Sequence, residues 1–261
     1  MTDVQNSSAL NKRRLAQMRP IPLYARIAGV LLLITMVAGF FGEIYVPSKL
    51  VVPADAGATA MNYRASEFLF RLGFASYLLE ALCDVGLVWL FYVLLRPVHK
   101  DLALLAAFFG LVSVALFGVA ELIYFSASIV LRDVDYLKAF SQDQRNTLAL
   151  LAFKTYGLGS GIFMSFYGIA SILRGYLIYR SNFLPKFLGV LLVLAGTGFV
   201  AENFLQVLAP KYVSDLLLLP MFFAVLALTG WFLVKGVNRQ KWEDWFFDAT
   251  MHEAATRRVA P

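Results

Sequence analysis

Glu80 and Asp84 stand four residues apart inside a long apolar run, which puts both carboxyls on one face of a helix. Tyr77 and Ser76 extend that face by one turn. An acid at the centre of a membrane helix costs roughly 2.5–3.5 kcal/mol to insert, and each Leu, Ile, Phe or Val returns roughly 0.3–0.6. Between Phe74 and Val93 there are ten such apolar residues, returning about 3–6 kcal/mol against about 5–7 for the two acids. The helix is therefore marginal alone in lipid. Its acids are expected to face other protein, with at least one carboxyl protonated or paired. Carboxyls so placed suit a proton, a cation or a small polar solute.

Three further acids share a local pattern, each followed by an aromatic residue: Glu43-Ile-Tyr45, Glu121-Leu-Ile-Tyr124 and Glu202-Asn-Phe204. Gly110, Gly118, Glu121 and Ser128 fall on one side of their helix, and Gly198, Glu202 and Gln206 on one side of theirs. Small residues beside each glutamate mark a helix-packing side. Lys154 is the expected counter-ion, heading a stripe with Gly157, Gly161, Ser165 and Gly168 that otherwise reads as close packing. Arg71 and Glu67, four apart at a helix end, read as a surface pair. The candidate ligand or ion site is thus Glu43, Glu80, Asp84, Glu121, Lys154 and Glu202, supported by Tyr77 and Gln206, in a polar cavity open to the outside. Two other readings stay open: the charges only fix bundle register, or they serve an intramembrane enzyme.

The elements that must hold these groups follow from composition. Hydrophobic residues make up 60% of 261 and charged residues 15%, whereas soluble domains run nearer half and a quarter. Six runs are long enough to cross roughly 30 Å of hydrocarbon, at residues 23–46, 68–95, 102–131, 148–178, 187–208 and 213–234. The fold class expected is an all-α integral membrane bundle of six helices in one domain, residues 21–238. Of the 23 basic residues, fifteen fall on the side of the N-terminus and eight on the other, which places both termini inside. The first run is too long for a cleaved signal core and carries Glu43, so it is expected to remain as a helix.

The tails differ from the bundle. Residues 1–20 are polar and basic, suited to an anionic lipid surface. Residues 239–261 hold Trp242, Trp245, Phe246 and Ala249 on one helical face, an expected interfacial helix with its tryptophans at the headgroups. The net charge of +6 is scattered in short clusters between apolar runs, which argues against nucleic acid. A single cysteine, Cys83, excludes an internal disulfide. His99 and His252 both lie outside the apolar runs, so no metal site or cofactor is expected. Lipid is the expected partner, and homo-oligomerisation stays open. No P-loop, dinucleotide fingerprint, Gly-x-Ser-x-Gly elbow or paired-Cys motif occurs. A short match between Arg26-Ile-Ala-Gly-Val-Leu-Leu and Lys186-Phe-Leu-Gly-Val-Leu-Leu hints at a parallel duplication.

Several segments are familiar as a set. They are Ala25-Arg-Ile-Ala-Gly-Val-Leu-Leu, Ser48-Lys-Leu-Val-Val-Pro-Ala-Asp within Glu43 to Asn62, and Leu82-Cys-Asp-Val-Gly-Leu. Tyr92-Val-Leu-Leu-Arg-Pro-Val and Tyr179-Arg-Ser-Asn-Phe-Leu-Pro-Lys-Phe-Leu-Gly-Val-Leu-Leu complete it. Over roughly residues 20–238 the chain resembles the bacterial multi-pass membrane family called domain of unknown function 4386. The resemblance implies a six-helix bacterial inner-membrane protein and brings no activity or site with it.

Overall fold

The computed structural model of the chain describes residues 20–259; the basic tail expected on anionic lipid lies outside them, save Pro20. Among the described residues there are helices and turns and no strand. Helix α1 (Ile21–Leu50) is continuous but carries one widened π-helical turn, Phe40–Tyr45. A short helix α2 (Ala56–Ala65) comes next, its first turn held by Asp55 Oδ1 accepting from the Ala58 N–H at 2.8 Å. Then come α3 (Glu67–Leu95) and α4 (Lys100–Val130), separated where Pro97 withholds a backbone donor. Helix α5 (Gln142–Arg180) opens with a capping box in which Ser141 and Gln144 satisfy each other's N–H groups. Its first turns precede the apolar run, so the helix starts six residues before the predicted span. Pro185 precedes α6 (Lys186–Leu208).

Helices α1, α3, α4, α5 and α6 are each long and apolar enough to cross a membrane. The sixth expected span is shorter than predicted. Two 3-10 turns, Pro210–Tyr212 and Asp215–Leu217, occupy its first residues, and α7 (Leu219–Val234) has 16 residues. It turns through 101° into α8 (Arg239–Val259). Gly236 makes that corner, with φ at 67°, and its N–H meets the Trp231 carbonyl at 2.9 Å.

Each long helix packs against the next in sequence and α7 returns to α1, closing a ring in the order α1, α3, α4, α5, α6, α7. Consecutive helices alternate in direction. We call the end holding Ile21 proximal and the end holding Leu50 distal. Helix α2 lies at the distal end against α5, where Arg64 Nη2 donates to Asn146 Oδ1 at 3.2 Å. The proximal half has a mostly aliphatic core that includes Ile21, Leu32, Leu94, Leu177 and Leu188. The distal half has an aromatic one that includes Tyr63, Phe70, Tyr77, Phe117, Tyr124 and Tyr156.

The seam between α5 and α6 is made by missing side chains. Gly175 lies against Gly189, Gly168 against Gly196, and Gly161 against Asn203. Each step is seven residues on both helices, the period of a left-handed supercoil. The expected packing stripe is therefore correct at Gly161 and Gly168. Gly157 has nothing within 4 Å of where a side chain would begin, and the Ser165 hydroxyl bonds back to the Gly161 carbonyl at 2.8 Å.

Helix α8 departs from expectation at Trp242. That residue is 0% exposed rather than at the headgroups, and its indole N–H donates to the Leu94 carbonyl at 2.8 Å. The carbonyl belongs to the last turn of α3, which has no helical partner of its own. Docking α8 there satisfies it.

Candidate functional site

The register of α1 on α3 decides what Glu80 meets. Val46 fits over Gly73, Gly42 fits over Tyr77, and a methyl group on Gly39 would stand 3.2 Å from Glu80 Oε1. Glu80 therefore rests on bare α1 backbone, in mid-span and half-buried. One turn distally, the Tyr77 hydroxyl donates to the Gly42 carbonyl at 2.6 Å. This carbonyl lies within the widened turn of α1, where the helical ladder is altered. Glu43 is the next residue and accepts a hydrogen bond at Oε1 from the Tyr156 hydroxyl of α5.

Glu121 comes to the same place from α4. It is 4% exposed, and its carboxyl lies beside the Tyr156 hydroxyl, whose proton goes to Glu43. Glu80 Oε2 is buried without a hydrogen-bond partner among the described residues. Three tyrosine rings enclose the group, with centroids 5.2 Å apart for Tyr124 and Tyr156 and 5.6 Å for Tyr77 and Tyr124. Glu80 and Glu121 both lie within electrostatic reach of Glu43, and among the described residues none of the three forms an ion pair. Asp84, one turn proximal of Glu80, differs. It lies one turn from Val88, which shares the space beside Gly110 with Arg174 of α5, and so is within electrostatic reach of that guanidinium without forming an ion pair under 4 Å.

The expected site is therefore brought together in part. Glu43, Glu80, Asp84, Glu121 and Tyr77 converge among α1, α3, α4 and α5. Lys154 is exposed and does not serve as their counter-ion. It sits seven residues before Gly161, so the seam would pair it with a position beyond Leu208, where α6 has ended. Glu202 is half-buried on α6 and is not among the charges acting on Glu80 or Glu121. Gln206 lies by Gly161 at the α5–α6 seam instead. Glu67 and Arg71 form the expected exposed pair at 2.6 Å.

Two residues of the site are not evident from sequence, Tyr156 and Arg174. Tyr156 is two positions from Lys154, hence on nearly the opposite face of α5. Arg174 reads as one of the basic residues at a helix end, yet α5 runs six residues further and buries it to 5% exposure. Replacing Tyr156 with phenylalanine is expected to cost about 1–3 kcal/mol, because a buried carboxyl oxygen loses its donor. Thermal melting of the purified protein in detergent measures this, and an unchanged melting temperature would mean the bond is not formed.

Among known proteins, the family model for a domain of unknown function (DUF4386) matches residues 27–236 of this chain. A protein of Archaeoglobus fulgidus described as uncharacterized is 29% identical over 153 residues, 59% of this chain and 76% of that one. No solved structure matches.

Proposed function

The chain belongs to the DUF4386 family, a multi-helix membrane bundle in this member, and on that footing we propose that its distal carboxyl cluster binds protons within the membrane. Protons taken up there would serve proton-coupled binding or transport of a small solute. The observation that carries the reading is Glu121, buried beside two more acids with, among the described residues, no ion pair, and with the proton of the neighbouring Tyr156 hydroxyl given to Glu43. Acids kept only for helix register are expected to be paired or hydrogen-bonded. Three acids in a low-dielectric interior need positive charge among them. Among the described residues no three His, Cys, Asp or Glu side chains are grouped to hold a metal ion, which favours the proton over a metal. Tyr156, bonded to Glu43 and close to Glu121, is placed to pass a proton between them. By the positive-inside rule the distal end faces the outside of a cell membrane, so the protons would enter from there.

Dicyclohexylcarbodiimide, which reacts with protonated carboxyls in apolar surroundings, tests this on the full chain in lipid. Peptide mass spectrometry is expected to find the adduct on Glu121, with labelling falling as pH rises and disappearing in Glu121→Gln. Labelling confined to water-facing acids such as Glu67 would contradict the reading.

A further inference from the structure

The acids form a column along the bundle, and among the described residues Arg174 is the cation at its proximal end. Glu43 and Glu121 stand at its distal end, Glu80 comes next, and Asp84 lies one turn further proximal on the same face of α3. Arg174 then reaches in from α5. Its guanidinium lies over the Phe91 ring at 5.0 Å, and its Nη2 is so close to α4 that a methyl group on Gly110 would stand 2.6 Å away. That Nη2 has no hydrogen-bond partner although the residue is only 5% exposed. Proximal of this point the core is apolar, with Leu94, Leu95 and Leu177 among its buried residues.

We infer that Arg174 is the barrier that closes the acidic column toward the proximal side, holding Asp84 as its counter-ion and keeping protons from crossing the bundle uncoupled. This rests on the proton-binding reading of the distal cluster. A guanidinium is always charged and disperses that charge over a plane, so it persists in an apolar site where an amine would lose its proton. Fixed cations exclude protons and other cations from narrow membrane pathways in the same manner. Resting one face on Phe91 and one edge on Gly110 holds the guanidinium about one turn proximal of Asp84. A proton that neutralised Asp84 would loosen this hold. The column would then have a gate whose key is the same charge it carries.

Proteoliposomes of the full chain containing pyranine test the barrier by reporting proton entry under an imposed potential. Wild type is expected to be tight, Arg174→Gln to admit protons about tenfold faster, and Arg174→Lys to leak as well, since an amine in this apolar site would lose its proton. Gly110→Ala leaves the arginine in place but pushes its Nη2 aside, and should leak as well. Adding Glu121→Gln to Arg174→Gln should restore tightness, since the path would lose its entry. If Arg174→Gln and Gly110→Ala are monodisperse, keep carbodiimide labelling of Glu121 and stay tight, the barrier is refuted. A leak that survives Glu121→Gln also refutes it, because the protons then take another route. Absence of Glu121 labelling in wild type would instead remove the proton-binding reading beneath it.

Discussion

Trp242→Ala should lower stability by about 3–5 kcal/mol, the usual range for deleting a buried aromatic side chain. The indole is 0% exposed, stacks on Phe246 with centroids 5.2 Å apart and donates to the Leu94 carbonyl. Arg96 in turn lies over Phe246 at 5.5 Å, so one side chain joins α8 to the end of α3. Alanine would leave both a cavity and a buried carbonyl without a donor. Trp242→Phe keeps most of the volume and should cost about 1–3 kcal/mol through the lost hydrogen bond alone. Melting of the full chain in detergent separates the two variants. Equal and small losses would mean that α8 is undocked in solution.

Gly196→Leu should be nearly as damaging, at about 3 kcal/mol or more, the upper end for overpacking. A Cβ on Gly196 would collide with the Gly168 carbonyl, and one on Gly168 would stand 2.8 Å from the Gly196 carbonyl. Both obstacles are helix backbone. Relief therefore requires α5 and α6 to separate along their whole seam, with Gly175 and Gly189 losing contact too. Gly230→Leu supplies the control, because nothing lies within 4 Å of its missing side chain. The expected result is a large loss of melting temperature for the first variant and almost none for the second. Similar behaviour of both would show that the seam is not tight.

Much of this fold is legible in the sequence, for a simple reason. Apolar runs of about 20 or more residues have few alternatives to a membrane helix, and prolines mark several of their ends. The last helix is the exception. Residues 213–218 are apolar enough to be counted in the span, yet Pro220 sits in the first turn of α7, where its missing N–H is harmless but cannot carry the helical ladder back to Leu216. Hydropathy outweighs that signal when the sequence is read alone.

The site is legible to a lesser degree. The cost of burying acids points correctly to the interior for Glu80, Asp84 and Glu121. It cannot say which cations accompany them, because that depends on where neighbouring helices stop. Lys154 has the right spacing for the α5–α6 seam but lies past the end of α6, while Arg174 lies well within α5, one turn from the level of Asp84. The widened turn at Phe40–Tyr45 is invisible to periodicity as well. One added residue in a turn rotates the remainder of the helix by about 100°, which bears directly on where Glu43 points.

Infrared spectroscopy of the purified protein in lipid probes the cluster at its chemistry. A neutral carboxyl shows a carbonyl stretch that an ionised one lacks, and the band shifts when deuterium replaces the proton. Such a band is expected near neutral pH, weaker by one carboxyl in Glu121→Gln. A spectrum with no such band, or one that Glu121→Gln leaves unchanged, would mean that the buried acids of this bundle hold no proton.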